Sequence, residues 1–184
     1  MAQDIGIRVA QEQDIARLHS LIESAYRGDS ARRGWTHEAD LLGGQRTDVE
    51  ALQAIVGDKG ENEGSDQILL LALDGRDIAG CVHLQQVDRR LAYLGLLTVD
   101  PDRQAGGLGK ILLRVAERHV GENWHGREIE MTVIRQRRDL IAYYERRGYV
   151  PTGERRPFPL NDPRYGLPKT QDLQFVVLRK EING

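Results

Sequence analysis

Apolar and polar positions follow two periods along this chain, and the switches between them mark its elements. "IGIRVA" alternates and predicts a short first strand. Ile15, Leu18, Ile22, Ala25 and Tyr26 then share one stripe at helical spacing, with Asp14 placed as N-cap and the end near Gly28. "DSARRGWTHEADLLGGQRTD" is polar and turn-rich, and Thr47 or Asp48 can cap a second helix, "VEALQAIVG". No apolar residue lies between Gly57 and Gln67, which predicts a surface loop. Three strand-like runs follow, "QILLLAL", "DIAGCVHLQQV" and "LAYLGLLTV", joined by "DGR" and "DRR". Such short connectors predict antiparallel hairpins, and the third run, apolar on both faces, suits a central strand.

The later part switches period again. In "LGKILLRVAERHVG", Leu108, Ile111, Leu112, Val115, Ala116 and His119 mark one helical face, with Gly121 as a stop. "REIEMTVIRQ" is a strand with Glu128, Glu130 and Thr132 on one side and Ile129, Met131 and Val133 on the other. "RRDLIAYYERRGYV" reads as a short helix ending at Gly148, and the proline-rich "PTGERRPFPLNDPRYGLPKTQD" leads to a last strand, "LQFVVLRK". The order β-α-α-β-β-β-α-β-α-β, with room for one more strand, predicts a single α+β domain over residues 1–184 with a mixed sheet.

Composition narrows the class. Apolar and charged shares of 40% and 29% in 184 residues describe a globular chain with a proper core. A net charge of −2 leaves no bulk electrostatic case for nucleic acid or an anionic membrane. No apolar run approaches bilayer-spanning length, and "MAQDIGIRVAQEQD" is too polar for a secretory signal, so a cytoplasmic setting is expected. Cys81, the only cysteine, excludes an intrachain disulfide and a cysteine-based zinc cage, and its apolar surroundings predict core filler. No metal is expected.

Gly106, Gly107 and Gly109 lie between the apolar run ending at Val99 and the helix that follows. A helix start offers unpaired N–H groups and partial positive charge, and glycines let the main chain approach a ligand. Together they suit a phosphate group, although the same glycines also suit a plain tight turn. A P-loop needs Gly where Gln104 stands and Ser or Thr where Ile111 stands. A dinucleotide fingerprint needs Gly at Leu112.

The pattern that fits is Val-x-Pro, a short turn, then Gln/Arg-x-x-Gly-x-Gly/Ala, filled by Val99, Pro101, Gln104, Gly107 and Gly109. Here the chain resembles the GCN5-related N-acetyltransferase (GNAT) superfamily. A second stretch, "AYYERRGY", is similar to that family's later motif at Tyr144, Gly148 and Tyr149. The resemblance spans essentially the whole chain. It implies a three-layer α/β/α fold with a mixed, mostly antiparallel sheet of six to seven strands and about four helices. It also implies acetyl-CoA as co-substrate, held by Leu97, Thr98, Val99, Arg103, Gln104, Ala105, Gly106, Gly107, Leu108, Gly109 and Lys110, with Tyr144 beside them.

The reaction so implied is direct attack of an amine on a thioester. It needs a neutral amine, a donor for the carbonyl oxygen and a proton for the departing thiolate. Tyr144 matches the family's acid, and a phenol with pKa near ~10 is protonated at neutral pH. The Val99 N–H is the candidate carbonyl donor. The base departs from the family: Tyr93 stands where many relatives carry Glu. Glu130, Glu128, His83, Glu38 and Asp40 are candidate substitutes, as is ordered water. Arg137 replaces an Asn that commonly meets the pantetheine arm.

By the same resemblance, the early loop and the last loop build the acceptor site. Trp35, Glu38, Asp40 and Arg46 are its candidates, with Arg32, Arg33, Asp162, Arg164 and Tyr165 nearby in sequence. Carboxylates there suit an ammonium and arginines suit a carboxylate. The expected activity is acetyl transfer to a primary amine of a small molecule. The alternatives are a silent acyl-CoA-binding module and a protein or peptide acetyltransferase. A homodimer is a further expectation.

Overall fold

The computed structural model describes residues 5–27, 32, 38–57 and 66–183. Among these residues, nine strands and four α-helices follow in the order β1 (Ile5–Val9), α1 (Ile15–Tyr26), β2 (Leu42–Gly43), α2 (Val49–Gly57), β3 (Gln67–Asp74), β4 (Asp77–Gln86), β5 (Leu91–Val99), α3 (Leu108–Asn123), β6 (Glu128–Ile134), α4 (Arg138–Glu145), β7 (Val150–Pro157), β8 (Leu167–Pro168) and β9 (Gln174–Glu181). Seven strands form one sheet in the order β1-β3-β4-β5-β6-β9-β7. Every neighbouring pair is antiparallel except β5–β6, which the α3 crossover makes parallel. β2 and β8 form a separate two-stranded ribbon.

The three-layer expectation holds. Helices α1 and α2 cover one face through Leu18, Ile22, Leu52, Leu69, Leu71 and Cys81. Helices α3 and α4 cover the other, against Leu84, Leu94, Ile129 and Met131. β3 and β4 join through Gly75 and Arg76, and Gly75, at φ 61°, supplies the positive φ that a two-residue hairpin asks of its first position. Asp48 Oδ1 accepts from the Ala51 amide at 2.7 Å, so Asp48 rather than Thr47 caps α2.

Three local expectations are corrected. Asp14 sits at the N-cap of α1, but its carboxylate caps no helical amide; it turns back to Arg8 and to the Gln11 N–H. The stripe of α3 is rotated, burying Leu113 and Val120 while Ile111 lies at its edge, 36% exposed, and the helix runs past Gly121 to Asn123. The first part of the proline-rich segment is a strand, β7. As an edge strand with a register shift after Pro151, it tolerates prolines that a central strand would not.

Gly80 in β4 brings α3 close to the sheet. A Cβ there would sit 2.6 Å from Thr98 O and 2.9 Å from Leu112 Cδ1. Gly80→Ala is therefore expected to cost ~1–3 kcal/mol and lower Tm by roughly 3–10 °C in a thermal melt. An unchanged Tm would mean that the contact relaxes freely.

Candidate active site

β5 and β6 pair over only three residues each, Leu91–Tyr93 with Glu128–Glu130. Beyond that point they part. A bulge in β5 opposite Val82, with Leu96 at φ 49°, bends the strand as it leaves its partner. The last link across the seam is made by side chains: the Tyr93 hydroxyl and Thr132 Oγ1 are hydrogen-bonded at 2.8 Å. Past it, carbonyls on the opened edge are taken by side chains. Tyr26 Oη donates to Leu97 O at 2.5 Å, and Gln104 Nε2 donates to Val99 O at 3.1 Å. A strand residue's N–H and C=O leave on the same side, so the Leu97 and Val99 amides face the same opening.

A cavity of about 320 Å³ fills the splay. Its walls include Tyr93 to Leu97 from β5, Met131 to Ile134 from β6, Leu140 and Tyr144 from α4, and Tyr26, Arg27, Glu38, Arg46 and His83 on the α1 side. The β2–β8 ribbon ties the early loop to the late one at its mouth, pairing Leu42 with Pro168 and Gly43 with Leu167. Gly166, at φ 102°, is needed there: a Cβ would lie 2.9 Å from Arg27 Nη2 and 3.0 Å from Gly43 O.

At the end of β5, residues Pro101–Gly106 make a 3₁₀ turn, and Gly107 enters α3 in the left-handed region at φ 73°. Lys110 N finds Gly107 O at 3.0 Å, while the amides of Leu108 and Gly109 ahead of it carry no hydrogen bond among the described residues. A Cβ on Gly106 or Gly107 would meet nothing within 4 Å, so the space above both glycines is open. Donors that point outward from a helix start under an open surface fit an anionic group.

The acetyltransferase (GNAT) family model matches residues 18–149, which takes in the glycine turn into α3, the seam and Tyr144. The chain belongs to the GNAT family. No curated protein matches it closely. Solved GNAT structures share its fold: an acetyltransferase from Streptococcus pneumoniae is 19% identical with a TM-score of 0.69, covering 97% of this chain and 100% of that one. One from Staphylococcus aureus is 17% identical with a TM-score of 0.65, covering 97% and 99%. A spermidine/spermine N-acetyltransferase from Vibrio cholerae is 13% identical with a TM-score of 0.66, covering 96% and 92%.

The residues anticipated on this GNAT scaffold scatter in instructive ways. Tyr144 lines the cavity at 6% exposure, with Tyr143 and Tyr149 edge-on to its ring. Its hydroxyl has no hydrogen-bond partner among the described residues, and burial raises its pKa well above the ordinary phenol value. Leu97 lines the cavity; Thr98 is fully buried with its hydroxyl on Leu96 O at 2.9 Å. Arg103 turns away from the glycines and pairs with Asp74, and its other nitrogens lie within 3.6 Å of Asp77 and Asp100 carboxylates. Lys110 is exposed on the first turn of α3.

Glu130 lies outside the cavity lining. It is 4% exposed, and its oxygens are held by Arg156 Nη1 at 2.7 Å and Arg179 Nη2 at 2.8 Å. Both of its oxygens are thus taken by guanidiniums outside the cavity. Asp40 pairs with Arg32 at the surface, also outside the lining, and Asp162 pairs with Arg164. Glu38 and Arg46 do line the cavity, as does Tyr165; Trp35 lies outside the described residues. Cys81 is fully buried, and burial pushes its thiol up to about 12, in keeping with core filler. Among the described residues, no group of three His, Cys, Asp or Glu is placed to hold a metal ion, and no helix is long and apolar enough to cross a membrane.

Sequence reasoning missed Arg27 and the hydroxyl of Tyr26. A basic residue just after an apolar helical stripe normally reads as solvated, and only the fold turns it inward. His83 was one name among several, and its setting now distinguishes it. Gln67 Nε2 donates to Ala54 O at 3.3 Å, which leaves Oε1 to accept from His83 Nε2 at 3.2 Å. In that tautomer Nδ1 is the acceptor, with no partner among the described residues, and it lies 3.9 Å from where a Cβ on Gly95 would sit.

Burial lowers the His83 pKa from 6.5 to about 4. The unfolded chain therefore binds a proton between these values that the folded one refuses, and stability falls as pH drops through that window. His83→Gln is expected to flatten the loss of Tm between pH 6.5 and 4 relative to wild type. Parallel Tm–pH curves would place the acid sensitivity elsewhere.

Proposed function

We propose that the protein transfers the acetyl group of acetyl-CoA to the primary amine of a small molecule. The observation that carries this reading is the seam itself: one cavity is lined by a phenol and an imidazole Nδ1 that have no hydrogen-bond partner among the described residues, and by a strand edge that has parted from its neighbour. The amides at the start of α3, with Gly106 and Gly107 open above them, would hold the pyrophosphate of the co-substrate. Bound acetyl-CoA supplies an activated acyl thioester.

The chain's own groups then divide the work. The Leu97 and Val99 amides meet negative charge developing on an acyl oxygen at the seam. His83 Nδ1 accepts the proton of the attacking nitrogen; its low basicity suffices because a nitrogen that has begun to form its new bond is strongly acidic. Tyr144, kept protonated by burial, gives its proton to the departing thiolate. The hydrogen bond between the Tyr93 hydroxyl and Thr132 holds the seam at a set opening, a structural part for the residue standing where relatives carry Glu. The tie between the early and late loops makes a bounded site rather than an open groove, which favours a small molecule over a protein chain.

Calorimetry with acetyl-CoA and CoA tests the first half of the reading. A thiol-release assay over amino acids, polyamines, aminoglycosides and short peptides tests the second; polyamines belong in it because a Vibrio cholerae neighbour is a spermidine/spermine N-acetyltransferase. Absence of CoA binding would end the proposal. Binding with silence across every amine would turn the reading to an acyl-CoA-binding module.

A further inference from the structure

The charges around the cavity do not balance. Among its described lining residues, Glu38 is the sole carboxylate, and Arg27 and Arg46 are the cations. Glu38 is already committed: Oε2 accepts from Arg27 Nη1 at 2.6 Å, and Oε1 lies 3.6 Å from Arg137 Nη1. Glu23, the other carboxylate close by, does not line the cavity and spends Oε1 on the backbone amides of Arg46 and Thr47 at 2.8 and 2.9 Å.

Two sets of guanidinium donors are left over. Arg46 lies over the Tyr26 ring at 5.0 Å, and its side chain makes no hydrogen bond or ion pair among the described residues. Arg27 is 6% exposed, and its Nε and Nη2 are shut off from solvent with no acceptor among the described residues. Buried donors left unmade are costly, and those of a charged group more so. A planar fork of N–H groups matches a carboxylate, which can accept from both ends of it. An amine without an anionic group leaves the Arg46 fork, which lines the cavity, without an acceptor. A polyamine adds further positive charge beside Arg46 with Glu38 already taken.

We propose that the acceptor is an amine that also carries a carboxylate, an amino acid or a near derivative, and that Arg46 reads this carboxylate with Arg27 beside it. The inference rests on the acetyl-transfer reading above and names the substrate class of the same cavity. The amine end then lies toward His83 and Tyr144, and the acid end toward the early loop.

Thiol release with acetyl-CoA is measured for the common amino acids, each beside its own amide, and for putrescine, spermidine and spermine. At least one free acid is expected to exceed its amide in kcat/KM on the order of 100-fold, because the amide leaves a desolvated guanidinium unpaired. Arg46→Gln is expected to erase that ratio through KM, with kcat nearly kept, and Arg46→Lys to restore part of it. Titration of the N-acetyl amino acids into the protein reads the same site without turnover: Arg46→Gln weakens their binding and leaves CoA binding alone. Equal rates for acid and amide, a preferred polyamine, acetyl-amino acids that bind Arg46→Gln as tightly as wild type, or neither turnover nor heat from any acid would each overturn the proposal. The wild-type comparison of acid with amide stands even if an Arg46 variant does not fold. Failure to bind CoA would instead remove the acetyl-transfer reading, and the acetyl-amino acid titration would still decide the carboxylate site.

Discussion

Gly107→Glu is expected to weaken CoA binding on the order of 100-fold or more, read by calorimetry, while the sheet and its helices persist. Two effects add. Gly107 opens α3 at φ 73°, where a side chain costs ~1–2 kcal/mol of backbone strain. The new Cβ would meet nothing within 4 Å, so the substitution is not refused by packing. Its carboxylate would enter the open space above the helix start and take the amides that a pyrophosphate would use. Gly107→Asn separates the two effects, since Asn tolerates this conformation and brings no charge. It should bind CoA far better than the Glu variant at similar Tm. Unchanged affinity in Gly107→Glu would mean that the anion is held elsewhere.

Tyr144→Phe is expected to lower kcat by roughly 10²–10³-fold while the Kd for acetyl-CoA stays within about twofold. The ring is wedged between Tyr143 and Tyr149, and Phe keeps those edge contacts. Only the hydroxyl is lost, and no hydrogen bond among the described residues holds it, so Tm should barely move. Burial keeps this phenol protonated well beyond the usual range, so the wild-type rate should show no alkaline fall from its ionisation near pH 10. Equal turnover by the Phe variant would take Tyr144 out of the proton path.

The chain declared its fold through period. Hairpins, crossover helix and central strand all follow from apolar spacing, because each element buries one face against a neighbour. The turn into α3 was equally legible: a glycine in the left-handed region and a polar residue at Gln104 are local requirements, written where they act. What stayed hidden depends on distant pairs. Nothing near Glu130 announces Arg156 and Arg179, which reach it from β7 and β9. Arg103 beside three glycines looks like a phosphate ligand until the β3–β4 turn brings Asp74 and Asp77 to it. Arg27 follows an apolar stripe, and the late loop that packs Gly166 against it lies far away in sequence.

The link between Tyr93 and Thr132 has a consequence for how such a site changes over time. A backbone rung in a sheet is blind to sequence: almost any residue keeps it. A rung made of two hydroxyls is written in two codons, and a single substitution lengthens, shortens or deletes it. The gape of this cleft is therefore heritable on its own, adjustable without disturbing a ladder, a helix or the anion cradle. If the cleft takes the acceptor as proposed, acceptor preference can drift along that one contact while the rest of the protein stands still.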